Sequence, residues 1–482
     1  MTRRALSVVI LLFALTGIAA LAQATLDRSK PPTPGPTPML RVPAWTRSTL
    51  GNGAELVVSE KHDLPLVSFT LTISGGYNQA DPAARRGLAD MTAAMMSEGT
   101  KTRDGEALAA ALQLLGTTVA VRIGGETGAI AFECIASRFP ATLDIVADML
   151  VNPSFPPEAL ERLRAQRLVA LVQARDQTGA IASRVFPRLV YGDAHPYGQN
   201  ITEATLEAIT RDDVVAFHRA YFRPGQALVT VVGDVHAAGA KAAIEKALAA
   251  WPRGGEKPVF QYPAVAAPRA STIYLVDKPG AAQSTFAIGT TGPPRSTSDY
   301  YALQVMNTIL GGMFQSRLNA NIREEKGYSY GVSSSFAYGK GPGAFRAGGD
   351  IVSAKSDAAL MEFMKELKGI RGERPITDEE LSTAKDALTQ RLPGTFASVR
   401  SVNTAMVTLW TQGLPDDYYQ QYAARIAAVR REDVVRVARQ YVDVDHLVIV
   451  IVGDRATVEG PLRALGVAPI AITDIEGNPV RP

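Results

Sequence analysis

Apolar residues recur every three or four positions through Leu303, Met306, Leu310, Phe314, Leu318 and Ile322, which predicts an amphipathic helix carrying the chain to Arg323. Gly311 and Gly312 fall inside this pattern and predict a disturbance, and Gly327 predicts the stop. From Tyr328 the period changes to two, so Tyr328, Tyr330 and Val332 are expected on one face of a strand that continues towards Tyr338. Arg323 and Tyr330 then flank one helix-to-strand corner.

The same reading along the chain predicts strands at 54–59, 67–74, 118–123, 129–136 and 227–232. Helices are predicted at about 86–97, 105–115, 140–150, 158–173 and 212–221. A second set of strands is predicted near 272–276, 285–290, 328–338, 343–351 and 447–452. Strands and helices alternate in mixed order, with no phosphate-binding glycine loop after a first strand, so the class is α+β and a dinucleotide fold is disfavoured. An internal repeat divides the chain. Arg211-Asp212-Asp213-Val214-Val215 leads through Tyr221 to Val231-Val232-Gly233-Asp234, and Arg431-Glu432-Asp433-Val434-Val435 leads through Tyr441 to Ile451-Val452-Gly453-Asp454, without a gap at an offset of 220 residues. Two duplicated halves are expected, 48–255 and 271–482, joined by a Pro- and Gly-rich linker at 256–270.

Ahead of them, Arg3 and Arg4 precede an apolar run from Ala5 to Ala22, which reads as an export signal over 1–24 cleaved before Thr25; an uncleaved membrane anchor is the competing reading. Residues 25–47 are rich in proline and read as a tether. The protein is therefore expected to be exported, and periplasmic if its source is a Gram-negative bacterium. A hydrophobic content of 46%, a charged content of 20% and a net charge of +3 fit a soluble globular chain and give nucleic-acid binding no support. Cys134, the sole cysteine, sits in an alternating run with Ile130 and Phe132 and reads as a buried small hydrophobe.

Two motifs compete at the corner. Gly327-Tyr328-Ser329-Tyr330-Gly331 spells the G-x-S-x-G of serine hydrolases, but that elbow needs strand, turn and then helix, the reverse of the order here. A helix ending in R-E-E-K-G-Y-S-Y instead resembles the C-terminal half of the pitrilysin/insulinase family of zinc peptidases. The resemblance implies two α/β halves folded as a clamshell, with Arg323 and Tyr330 reaching a peptide substrate held at the zinc site. A guanidinium offers fixed donors to a peptide carbonyl, and a phenol can donate to an oxygen gaining charge. The plainer reading makes Arg323 a helix C-terminal cation and Tyr330 a core residue.

In active members of that family, the helix matching Gly87-Leu88-Ala89-Asp90-Met91-Thr92-Ala93-Ala94-Met95 carries H-x-x-E-H; here Asp90, Ala93 and Ala94 stand at those positions. The further carboxylate implied near Leu171 or Val172 is absent too. His62, His195, His218, His236 and His446 show no metal-ligand spacing, so no metal or other cofactor is expected on this chain. The resulting reading is a non-catalytic, substrate-binding subunit of an exported zinc metallopeptidase, lending Arg323 and Tyr330 to a homologous H-x-x-E-H-bearing partner that holds the zinc. The alternative is a free-standing peptide-binding or envelope-assembly scaffold.

Overall fold

Two six-stranded mixed sheets organise the protein in a computed structural model that describes residues 40–480. The first runs β1 (Thr46–Thr49), β2 (Glu55–Glu60), β6 (Ala227–Gly233), β3 (Leu66–Ser74), β5 (Thr127–Ile135), β4 (Val119–Ile123). The second runs β12 (Ile470–Thr473), β7 (Thr272–Asp277), β11 (Val448–Gly453), β8 (Gln283–Thr291), β10 (Ala344–Val352), β9 (Val332–Phe336). In each, the late strand, β6 or β11, inserts parallel to one early strand of its half, β2 or β7, and antiparallel to the next, β3 or β8. Helix Arg211–Tyr221 precedes β6 as helix Arg431–Tyr441 precedes β11, and Gly233 and Gly453 end the two strands, so the 220-residue offset holds in three dimensions as in sequence. The α+β class and the two-part plan stand.

Both inserted strands are buried along their whole length, so each sheet has two faces to cover. On β11, Ile449 and Ile451 face the large core beneath helices such as Ser356–Lys368, while Val448, Val450 and Val452 face the other way. That second face is closed by a helix from the opposite half of the chain, Thr178–Tyr191, through Ile181, Ala182, Val185, Phe186 and Val190. The first sheet is treated reciprocally. Val57, Leu228 and Val232 meet helix Val399–Gln412, which lies across β3 and β6. This face carries hydroxyls, and Asn403 satisfies one of them together with two backbone carbonyls. Its Oδ1 accepts from the Thr230 hydroxyl at 2.7 Å, and its Nδ2 donates to the carbonyls of Ser68 at 2.9 Å and Thr230 at 3.3 Å.

Several expectations need correction. The predicted helix to Arg323 is broken into Tyr300–Asn307, a π-helical turn Thr308–Gly312, an excursion at 313–316, a short helix Arg317–Asn319 and a second wide turn Ala320–Glu325. The strand expected from Tyr328 starts only at Val332, because the Ser329 hydroxyl takes the Asp350 carbonyl at 2.6 Å where a ladder amide would bond. Within the predicted tether, the described residues from 40 onwards are docked: Leu40, Val42 and Trp45 pack on the second half's core, and the Ala44 carbonyl accepts from Ser59 at 2.8 Å. The predicted signal at 1–24 and the tether before 40 lie outside the described residues. Among the described residues no helix is long and apolar enough to cross a membrane.

Asn403→Ala should lower unfolding stability by about 1–3 kcal/mol, since it removes three hydrogen bonds and leaves a void between helix and sheet. Urea denaturation measures this; an unchanged midpoint would mean that apolar packing alone holds the exchanged helix.

Candidate functional site

The corner at 307–332 is shaped by close backbone approach. A Cβ on Gly311 would lie 2.4 Å from the amide nitrogen of Ser334 in β9, and one on Gly312 would lie 2.8 Å from Asn307 Nδ2, so only glycine lets the π-helical turn sit this tightly on the strand. Asn307 donates to the Ser334 carbonyl at 3.0 Å and accepts from the Ser334 hydroxyl at 2.8 Å, fixing the same junction. The chain then swings outward, leaving Phe314 63% exposed, contrary to its expected place on the buried stripe; Leu318 and Ile322 return to full burial.

Buried polar residues pin the next segment. Arg317 grips Glu380 with two hydrogen bonds of 2.6 and 2.8 Å and donates to the carbonyls of Arg374 and Pro375. Asn321 donates to Glu362 and Glu366, each at 2.8 Å. Asn319 ties the two ends of the corner together, donating to the Phe314 carbonyl at 2.8 Å and accepting from the Val332 amide at 3.2 Å. Gly327 turns at φ 66°, and the Tyr328 amide bonds back to the Ile322 carbonyl at 3.0 Å.

On this frame the Arg323 guanidinium lies over the Phe314 ring, 4.2 Å from its centroid, and pairs with the neighbouring Glu324. Tyr330 is 92% exposed, in a loop rather than a strand, and its hydroxyl makes no hydrogen bond among the described residues. The plain reading of Tyr330 as core is therefore wrong. Phe314 is the contributor that sequence reasoning missed: helical spacing assigned it to the interior, and nothing local signals the outward excursion. Ser329 is no nucleophile. It is buried, donates to the Asp350 carbonyl and accepts from the Gly331 amide at 3.0 Å, while His446 is paired with Asp443 at 2.8 Å.

The positions matching the zinc motif lie on helix Leu88–Met95, with no hydrogen bond or ion pair to the Arg323 and Tyr330 corner among the described residues. Ala93 is 2% exposed and Ala94 is half-buried. Asp90 is already engaged: its Oδ2 accepts from Arg167 Nε at 2.6 Å, across to helix Pro157–Ala174. Leu171 and Val172, where a further carboxylate was sought, are apolar, and Arg167 sits one turn before Leu171 on the same side of that helix. Catalytic zinc needs three protein ligands. One carboxylate bound to a guanidinium and two methyl groups do not fit it; the ion pair braces the two helices instead.

The titration of Cys134, His218 and His195 is set by burial. Burial pushes the Cys134 thiol up to about 11. It pushes His218 down to about 4, and that ring bonds the Leu150 carbonyl at 2.9 Å. His195 is buried among Tyr191, Tyr197 and Tyr262, and burial lowers its pKa as well.

Two sequence models of one family match the chain: insulinase (peptidase family M16) over residues 56–188 and peptidase M16 inactive domain over 208–388. An uncharacterized zinc protease of Streptomyces coelicolor is 24% identical over 406 residues, covering 82% of this chain and 86% of that protein. A Helicobacter pylori protein named non-peptidase homolog YmxG is 23% identical over 409 residues, covering 83% and 92%. Among solved structures, a peptidase M16 inactive domain from Pseudomonas fluorescens superposes with a TM-score of 0.78 at 25% identity, covering 85% of this chain and 98% of that one.

Grafting the lost motif should fail. In the triple variant Asp90→His, Ala93→Glu, Ala94→His, Arg167 still places a cation beside the helix and no further carboxylate is present, so peptide cleavage should stay at background. Ala93→Glu alone puts a carboxylate at a buried position and should cost more than about 2 kcal/mol, read as a lower melting temperature.

Proposed function

The chain belongs to the insulinase (M16) peptidase family as a non-catalytic member, and from that premise we propose that it is the substrate-binding subunit of an exported zinc metallopeptidase, working beside a homologous H-x-x-E-H-bearing chain. One observation carries the proposal. A network of buried polar residues, Arg317, Asn319, Asn321 and Glu366, closed by the half-buried Glu380, holds a corner whose outermost side chain, Tyr330, does nothing for this chain's own packing. Buried polar groups are costly to satisfy, and a corner with only a fold to maintain would fill with apolar residues.

The geometry supports the roles that the family resemblance implies. Phe314 supports one face of the Arg323 guanidinium, which leaves its edge donors free to turn from Glu324 to a peptide carbonyl. The Tyr330 phenol, facing solvent with its donor unused, can hydrogen-bond the oxygen that becomes anionic as a peptide bond is attacked. Zinc, supplied by the partner, would activate water there; this chain would bind, orient and neutralise charge.

The test is reconstitution with an exported H-x-x-E-H homologue from the same source. Mixing should create peptidase activity absent from either chain alone. Tyr330→Phe should leave assembly intact and lower kcat on the order of 10²–10³-fold, the usual effect of losing an oxyanion donor. Arg323→Ala should raise KM at least as much as it lowers kcat, because a carbonyl contact also holds the ground state. A reconstituted pair indifferent to both substitutions would overturn the proposal and favour the scaffold reading.

A further inference from the structure

The five histidines lack metal-ligand spacing along the chain, yet the fold brings two of them, 174 residues apart, to one carboxylate. Glu60 ends β2, His62 lies in the connection to β3, and His236 stands between β6 and helix Ala237–Ala247. Glu60 Oε2 lies 3.4 Å from His62 Nε2 and 3.4 Å from His236 Nδ1, and all three ligand atoms fall within 4.8 Å of one another. Bonds of about 2.0–2.1 Å to a tetrahedral zinc ion place neighbouring ligand atoms about 3.3 Å apart. Two edges of that tetrahedron are therefore present. The third closes by rotation of His236, whose side chain is 85% exposed and free to move.

Two of the ligands are also aimed by a second contact. Asp234 Oδ1 accepts from His62 Nδ1 at 2.7 Å, which turns Nε2 towards Glu60, where a metal ion would displace its proton. The other Glu60 oxygen accepts from the Ala237 amide at 2.9 Å, which satisfies a helix N-terminal donor and turns Oε2 towards the imidazoles. We propose that Glu60, His62 and His236 form a binding site for a divalent transition-metal ion of the zinc class, oriented by Asp234 and separate from the helix that carries the degenerate peptidase motif. Two imidazoles and one carboxylate select zinc, cobalt or nickel over magnesium or calcium. The fourth coordination position faces solvent, open to water or to a side chain of another molecule. Bound metal would clip the β2–β3 connection to the corner after β6.

Zinc chloride is titrated into the full mature chain carrying no histidine tag, against a chromophoric chelator, with cobalt absorption reporting geometry. One equivalent should bind at low micromolar free zinc, with tetrahedral cobalt bands. His62→Ala and His236→Ala should each weaken binding at least about tenfold, and Asp234→Asn about 10–100-fold, as outer-shell partners do. Asp90→Ala should leave affinity unchanged. All these positions are exposed or half-exposed, and circular dichroism will report that the variants remain folded. The proposal is overturned if the wild-type chain takes up no zinc, if the double variant His62→Ala, His236→Ala retains one equivalent, or if Asp90→Ala abolishes binding.

Discussion

Neither sheet of this protein can bury both faces with residues of its own half, and the rest of the architecture depends on that constraint. A strand such as β11, buried from Val448 to Gly453, needs apolar cover above and below. The cover comes by exchange: Thr178–Tyr191 lies on the second sheet and Val399–Gln412 on the first. The halves are thereby bound through interiors rather than through surfaces. The contacts bridging them have the character of a core, including an Asn403 amide whose three hydrogen bonds are made inside the fold.

Much of this plan was legible in the sequence, because strands and the repeat are local or regular. The offset from Arg211 to Arg431 predicted equivalent helix-strand pairs, and they occupy equivalent places in the two sheets. What escaped was the exchange. Thr178–Tyr191 has helical spacing through Ile181, Val185 and Val190, but Gly179 and Pro187 interrupt it by local rules, and which sheet a helix covers is not a local property. At the corner, alternation through Tyr328, Tyr330 and Val332 looked like a strand. A serine hydroxyl competing for a ladder carbonyl decided otherwise.

The two candidate regions show opposite treatments of charge. On helix Leu88–Met95 the charged residue is turned to a structural task, Asp90 against Arg167, bracing two helices. At the corner the charged and phenolic groups are left on offer, Arg323 resting on an exposed ring and Tyr330 bonded to nothing within the chain's described part. Sequence singled out Asp90 as a degenerate motif position and Arg323 as a candidate substrate contact. Their partners in space separate them further, and neither Arg167 nor Phe314 could be named from spacing along the chain.

The exchanged helices also set an order of events for a chain emerging from a ribosome. The first sheet has all its strands once residue 233 is out, yet the helix that seals its second face lies at Val399–Gln412. For the intervening stretch of synthesis, Val57, Leu228 and Val232 have no permanent cover. Nascent protein of this design must wait, open on one side, for its own distal segment, a long-range closure that slows folding and leaves an interval in which a holding chaperone has an apolar sheet face to grasp.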